Sequence, residues 1–295
     1  MWWSWNLPPS EPSEHPPFLS IVITVRNEEA HLASLFENLL RQPGPFEIVL
    51  VDAESTDATW GIAERYRAAH PDRVRTFRHR GHRGAGRNFG VQQARGELIA
   101  FTDGDCLPDA SWAERMREGL TAWEVVAGRT RAVGSSRFGE LERVELYQGG
   151  MDVTFPSCNL GYRRPLFVRL GGFDDRFITA EDIDLNLRAV RAGARIHYDP
   201  EMLVLHQTRA TLARFLLQAF WNGYGRKQLT EKHGQLWAQY RYRRMLSSQS
   251  SPLAYARLAA ALAGYFTRHL TALRPPRRIP TEGREPNANG KAQRA

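Results

Sequence analysis

The run Leu98-Ile99-Ala100-Phe101-Thr102-Asp103-Gly104-Asp105-Cys106 carries an apolar segment straight into two carboxylates one residue apart. Leu98 to Phe101 has the length and composition of a buried strand, so both acids are expected at its C-terminal end. In open α/β sheets that edge is where ligands bind. Asp-Gly-Asp also reads as a turn, since both residue types favour turns. Two like charges so close repel each other, and burying either is costly without a partner. A divalent cation with oxygen ligands removes that cost and can hold the phosphates of a substrate.

Upstream of this run, apolar stretches and helical patterns alternate. Leu19 to Val25 is a strand rich in β-branched residues, and Glu28 to Arg41 has helical spacing through Leu32, Leu35, Phe36, Leu39 and Leu40. Phe46 to Val51 is a second strand, with Thr56 or Asp57 placed to cap the helix that follows. Val74 to Phe77 is a third strand and Gly86 to Arg95 a short helix ending at Gly96. After Pro108 come a helix to about Leu120, a strand near Val125-Val126, and short strands at 158–162 and 196–198 flanking a helix over 182–192. Leu203-Val204-Leu205 ends the sheet at His206. Strands alternating with helices predict an α/β, Rossmann-like, mostly parallel sheet flanked by helices.

The chain has 295 residues, 42% of them hydrophobic, which allows one large core or a core with an appendage. Residues 1–17 read as a disordered Pro-rich leader without the basic and apolar regions of a secretory signal. Residues 18–206 form the main domain, 207–275 a helical basic region, and 276–295 a disordered tail. From Gln207 onward there are 16 Lys and Arg against 3 Glu, a net of +13, while residues 1–206 are slightly acidic beneath the overall charge of +8. Such a region suits an anionic membrane surface, another polyanion, or simply a solvated helix face. Trp237, Tyr240, Arg241, Tyr242, Arg243 and Arg244 interleave aromatic and basic side chains as nucleic-acid grooves do, but no recognised motif accompanies them and no nucleic-acid partner is expected. Only two cysteines, Cys106 and Cys158, are present, which points to a cytoplasmic setting and to small buried filler. No run of 18 apolar residues occurs.

Further polar residues gather at the expected strand ends. Asp52 can accept a hydrogen bond from a base imide or ribose hydroxyl, or cap the next helix, a role that fits Asp57 better. Arg83-Gly84-Ala85-Gly86-Arg87-Asn88 opens a helix, where glycines permit close backbone approach and an arginine can fork a phosphate. Glu181, Asp182 and Asp184 are either charges complementing a helix start or, for Asp182, a general base. His206 is a structural histidine or a metal ligand.

In this order the segments Ser20–Leu40, Val51–Asp57, Gly86–Asp109 and Ser157–Pro200 resemble the family 2 glycosyltransferases of the GT-A fold. The resemblance implies a mainly inverting, metal-dependent transfer of a sugar from a UDP- or GDP-linked donor to an acceptor hydroxyl, with Mg²⁺ or Mn²⁺ as cofactor. It implies that Val25, Asn27, Glu28 and Asp52 hold the nucleotide base and that Arg87 and Asn88 line its pocket. Asp103 and Asp105 would form the DXD element, Asp105 binding the metal directly and Asp103 lying nearer the ribose and donor sugar. Asp182 would be the base, Glu181 a contact to the acceptor, and His206 a further metal ligand. The Gln-x-x-Arg-Trp element of processive synthases is absent, Gln218-Ala219-Phe220-Trp221 being a partial echo, so transfer of one or a few sugars is expected. A retaining mechanism or nucleotidyl transfer on the same fold is the alternative. A non-enzymatic nucleic-acid binder is the remote one. Residues 207–275 are expected at the inner face of a membrane or packed on the catalytic domain.

Overall fold

The computed structural model describes residues 18–133, 144–207, 211–236 and 251–272. Strands β1 (Leu19–Val25), β2 (Phe46–Asp52), β3 (Val74–Arg78) and β4 (Leu98–Asp103) alternate with helices α1 (Leu32–Leu40), α2 (Thr59–Ala69) and α3 (Arg83–Gln93). After β5 (Cys106–Pro108) come α4 (Trp112–Ala122), β6 (Val125–Val133), β7 (Tyr147–Gln148), β8 (Met151–Asp152) and β9 (Leu160–Arg163). Helices α5 (Arg164–Arg169) and α6 (Glu181–Arg191), strand β10 (Ile196–Gln207), and helices α7 (Leu212–His233) and α8 (Pro252–Ala272) complete the described chain. The main sheet runs β3-β2-β1-β4-β9-β6-β10-β5, with β7 and β8 paired separately. All its ladders are parallel except those of β9 with β4 and β6, and of β5 with β10.

Alternation along β1 sorts its side chains onto two apolar layers. Leu19, Ile21 and Ile23 pack with Leu32, Leu35 and Phe36 of α1 and with Trp112 and Met116 of α4. On the opposite face, Val22, Val49, Ile99 and Phe101 pack with Val91 of α3, Phe167 of α5 and Leu185 of α6. Covering both faces is why the central strands read as continuous apolar runs. Gly90 lets α3 lie flat on β1, since a Cβ there would stand 2.5 Å from Val22 Cγ1.

Several boundaries differ from the sequence expectation. α1 begins at Leu32 because residues 26–31 form the loop that meets β2's C-terminal end, and α3 begins at Arg83 rather than Gly86. The pieces expected at 196–198 and 203–205 are one strand, β10, with a register shift against β6 between Asp199 and Leu203. Asn159 plugs that irregularity: its amide donates to Met202 O (2.9 Å) and Arg129 O (3.0 Å) and accepts from Trp112 Nε1 (2.8 Å). Residues 157–159 are therefore a 3-10 turn leading into β9. The two-stranded pairing of β5 with β10 has no counterpart in the sequence pattern.

The helical C-terminal region is docked at its first helix. Leu229 of α7 and Leu236 join Leu146, Val153, Phe177, Ile183 and Leu187 in a third apolar cluster. α8 then packs on α7, where Gly223 faces Ala261 O and Gly264 faces Phe220 O. A Cβ at either glycine would stand 1.8 Å from that carbonyl oxygen. The leader 1–17, the tail 276–295 and the aromatic–basic stretch from Trp237 to Arg244 lie outside the described residues.

Candidate active site

The C-terminal ends of β1, β2 and β4 deliver Val25, Asp52 and Asp103 to one edge of the sheet. The loops beyond β1 and β2 are stitched to each other. Asn27, at φ 57°, donates its N–H to Ser55 Oγ (2.9 Å), and its Oδ1 accepts from Thr56 N (2.8 Å). Such left-handed backbone is costly for a residue with a side chain, and asparagine tolerates it best. Glu28 N donates to Thr59 Oγ1 (2.7 Å), and Val25 O accepts from Ala53 N (2.8 Å). Asp52 is fully buried; its carboxylate accepts from Ser55 N (3.2 Å) and Ser55 Oγ, with Arg78 Nε at 3.6 Å. Asp57, not Asp52, accepts the N–H of Thr59 at the start of α2 (3.0 Å).

Arg87 is the hub of the site. Its side chain is 1% exposed; Nη2 meets Asp103 Oδ1 at 2.7 Å and Nη1 meets Glu181 Oε1 at 2.8 Å. Burial alone would favour the neutral guanidine, but the two carboxylates overrule it and push the pKa far up. Asp103 feels the reciprocal balance. Burial raises its carboxyl, while Arg87 beside it and Arg83 farther off bring the net below the usual range. Asn88 is fixed just as firmly, donating to Phe173 O (2.8 Å) and accepting from Phe173 N (2.9 Å) as a strand partner would. These two residues thus tie α3 to the loop that precedes α6.

Asp182 sits in the first turn of α6, with Oδ1 accepting from Ile183 N (2.8 Å) and Oδ2 from Ser157 N (3.2 Å). Burial, and next the neighbouring Glu181 carboxylate, raise its pKa to about 6, against the partial opposition of Arg87. A carboxylate so poised can take up and release protons near neutrality. Glu181, expected at the acceptor, is only 5% exposed and has its Oε1 on Arg87. The turn entering α6 places Ala180 at φ 65°, and α7 holds it from behind. Gln228 Nε2 donates to Arg176 O (3.0 Å), while Lys232 and His233 both reach Asp184 Oδ1 at 2.7 Å.

On the other side of Asp103, the chain turns through Gly104 into β5. There Asp105 Oδ1 lies 3.2 Å from His206 Nε2. Burial lowers the His206 pKa, but the hydrogen bond and charge of Asp105 outweigh it and raise it to about 9. Among the described residues, the donors that converge closely enough for a metal are Asp105, Cys106 and His206, all within 4.8 Å of one another. Asp103, held by Arg87, is not a member of that group. The carboxylate oxygen of Asp105 and the imidazole nitrogen of His206 fit Mn²⁺ well, and Mg²⁺ through the oxygen, so these two residues suit the expected cation. Sequence reading missed the Arg87 bridge, the Ser157 N–H on Asp182, and Cys106 as a donor. The only local signal for the last was its place directly after Asp105.

The mostly parallel α/β sheet, with acids and a buried arginine gathered at its carboxyl edge, has the architecture of the GT-A fold. The chain belongs to the family Glycosyl transferase family 2, whose model matches residues 20–171. Its relatives include glycosyltransferase AglE of Haloferax volcanii, 28% identical over 65% of this chain and 68% of that protein. The pre-mycofactocin glycosyltransferase of Mycobacterium tuberculosis is 29% identical over 73% of this chain, which spans 48% of that relative's length. Among solved structures, mannosyltransferase PcManGT of Pyrobaculum calidifontis, in complex with GDP-Man and Mn²⁺, superposes with a TM-score of 0.59. That match has 19% identity and covers 93% of this chain and 85% of the other. S. aureus TarS 1–349 with UDP gives 0.53 at 18% identity, over 86% and 90%. The protein is a transferase enzyme of this family.

Proposed function

We propose that this chain moves a sugar from a nucleoside-diphosphate sugar to an acceptor hydroxyl, with a divalent cation and inversion at the anomeric carbon. The observation that carries the reading is the Arg87 bridge. One side chain joins Asp103, at the end of β4, to Glu181, immediately before Asp182 at the start of α6. Donor-facing acid and candidate base are thereby held at one sheet edge, with Asp182 tuned upward to about 6. That fold neighbours were solved with GDP-Man and with UDP supports a nucleotide-sugar donor of UDP or GDP type.

In this reading the stitched loops bearing Val25, Asn27, Glu28 and Asp52 receive the nucleotide base. Arg87 and Asn88 close the pocket from the α3 side, and Asp103 lies toward the ribose and donor sugar. Asp105 and His206 hold the cation, Mg²⁺ or Mn²⁺, which supplies neutralising charge for the departing diphosphate. Asp182 takes the acceptor's proton on a carboxylate oxygen, while Glu181 keeps that carboxyl basic and orients Arg87. Incubation with UDP- and GDP-sugars and Mn²⁺, read by NMR of the product anomer, tests this. Inversion is expected. Retention, or no donor consumption across the panel, would overturn it.

The helical region 207–275 is proposed to lie on an anionic bilayer surface at the cytoplasmic face. Along α8, Tyr255, Leu258, Leu262, Phe266 and Leu270 recur every three or four residues and are all exposed, an apolar stripe on a helix in a basic region. No helix among the described residues is long and apolar enough to cross a membrane. Salt-weakened co-sedimentation with anionic vesicles, and none with neutral ones, is the expected outcome. Failure to sediment with either would remove this part of the reading.

A further inference from the structure

Cys106 is not explained by the proposed transfer. It is 1% exposed and belongs to the apolar layer under α1 and α4, yet its Sγ lies within 4.8 Å of the ligand atoms of Asp105 and His206. In the antiparallel pairing of β5 with β10, Cys106 is directly opposite His206, so both side chains leave the same face of the sheet. Cys106 Sγ lies 3.9 Å from Asp105 Oδ1, and His206 Nε2 lies 3.2 Å from the same oxygen. Bond lengths of 2.0–2.1 Å to nitrogen and oxygen and 2.3 Å to sulfur require, at tetrahedral angles, ligand separations of about 3.3 Å for N···O and about 3.6 Å for S···O. The two observed separations already fall within a few tenths of an ångström of these values. Behind Cys106, Cys158 is buried, and Thr130 Oγ1 lies 3.8 Å from its Sγ.

We propose that Cys106 Sγ is a third ligand beside Asp105 and His206, giving the site an O/N/S donor set that selects thiophilic divalent cations such as Zn²⁺ and Co²⁺ over Mg²⁺. Mg²⁺ demands oxygen ligands in an octahedron and gains nothing from sulfur, whereas imidazole and thiolate favour zinc and cobalt. A cation held there would bind Cys106 as a thiolate, the displaced thiol proton passing to solvent as the sulfur–metal bond forms. Three protein ligands would leave room for an exogenous oxygen on a bound cation. Zn²⁺ therefore competes with Mn²⁺ at the same place, and the enzyme's response to cations depends on a residue outside the two-aspartate element. This inference rests on the metal role given above to Asp105 and His206.

The test is optical titration of the purified full chain with Co²⁺, alongside C106S, C158S and D105A. Wild type and C158S are expected to show visible ligand-field bands together with a near-ultraviolet thiolate-to-cobalt charge-transfer band. C106S is expected to keep ligand-field bands and lose the charge-transfer band. Zn²⁺ should displace Mn²⁺, followed by electron paramagnetic resonance, at a concentration at least tenfold higher in C106S, the lower end of what even outer partners of a metal site contribute. Ligand-field bands in wild type without charge transfer, or a charge-transfer band that survives C106S and vanishes in C158S, would overturn the role of Cys106 while leaving the cation site intact. No cobalt spectrum at all, in wild type as in D105A, would overturn the cation site itself and this inference with it. Circular dichroism of C106S confirms that it folds, so loss of the band reports ligation.

Discussion

Replacing Arg87 by Met tests the hub of the site most directly. The side chain is 1% exposed and makes two ion pairs, at 2.7 Å to Asp103 and 2.8 Å to Glu181. Each such contact is worth about 4 kcal/mol in Coulomb terms at an effective dielectric near 20, but desolvating the guanidinium offsets much of the sum. Removing one partner of a buried network leaves its carboxylates uncompensated, which costs about 3–5 kcal/mol. For a domain of this size, that lowers Tm on the order of 10 °C. The sign of the pH dependence follows from Asp103, whose pKa lies below its ordinary value in the native protein. Its pairing contributes stability above the unfolded carboxyl value of about 3.9, and that contribution is lost as pH falls through the native value. The gap between wild type and R87M should thus be widest at pH 7 and narrow toward pH 4, where an uncompensated carboxylate relieves its cost by protonating. Scanning calorimetry across that range measures it. R87K should recover only part of the loss, because a single ammonium cannot fork two carboxylates. A Tm within a degree or two of wild type, or a deficit that does not change with pH, would refute the bridge as the element holding α3, β4 and α6 together.

Four further outcomes follow from the same geometry. Asp182→Ala should lower kcat by about 10²–10⁴-fold while donor binding, followed by calorimetry, is kept. In wild type, log(kcat/KM) should rise with unit slope up to the Asp182 value of about 6 and level off above it, since the base works only when deprotonated; a profile flat down to pH 5 contradicts that role. Asp105→Ala should abolish Mn²⁺ binding in a paramagnetic titration, and unchanged affinity would move the cation elsewhere. Asn159→Ala orphans Trp112 Nε1, Met202 O and Arg129 O, and should cost about 3 kcal/mol in urea unfolding, because each unsatisfied buried group costs about 1–3 kcal/mol. A loss under 1 kcal/mol would mean that water replaces the amide.

The half of the fold up to β4 was legible because its signals are local. An apolar run of four to seven residues followed by a 3.6-residue periodicity identifies strand and helix without reference to the rest of the chain. The segment from Ser157 to Gln207 was less legible. β9 enters antiparallel between β4 and β6, and β10 survives a register shift only because Asn159 satisfies the freed carbonyls. Neither fact has a periodicity. The Gly-x-Gly of α3 read as a phosphate approach, yet the glycine of that helix that packs most tightly, Gly90, serves helix-on-sheet contact. Likewise α7, expected within a basic appendage, clamps the loop before Asp182 through Gln228 and Lys232 and holds Asp184 of α6 through Lys232 and His233.

By itself, the sequence determined the parallel α/β class, the strand-end positions of Asp52 and Asp103, and the set of residues worth watching, because burial on both faces and helix amphipathicity are written in neighbouring residues. Only the tertiary structure decided what those residues do to one another. Arg87 meets Asp103 sixteen positions away and Glu181 ninety-four positions away. Cys106 meets His206 across an antiparallel ladder. Charge pairing, desolvation and ligand convergence depend on distance in space, and the order in which strands enter a sheet sets that distance.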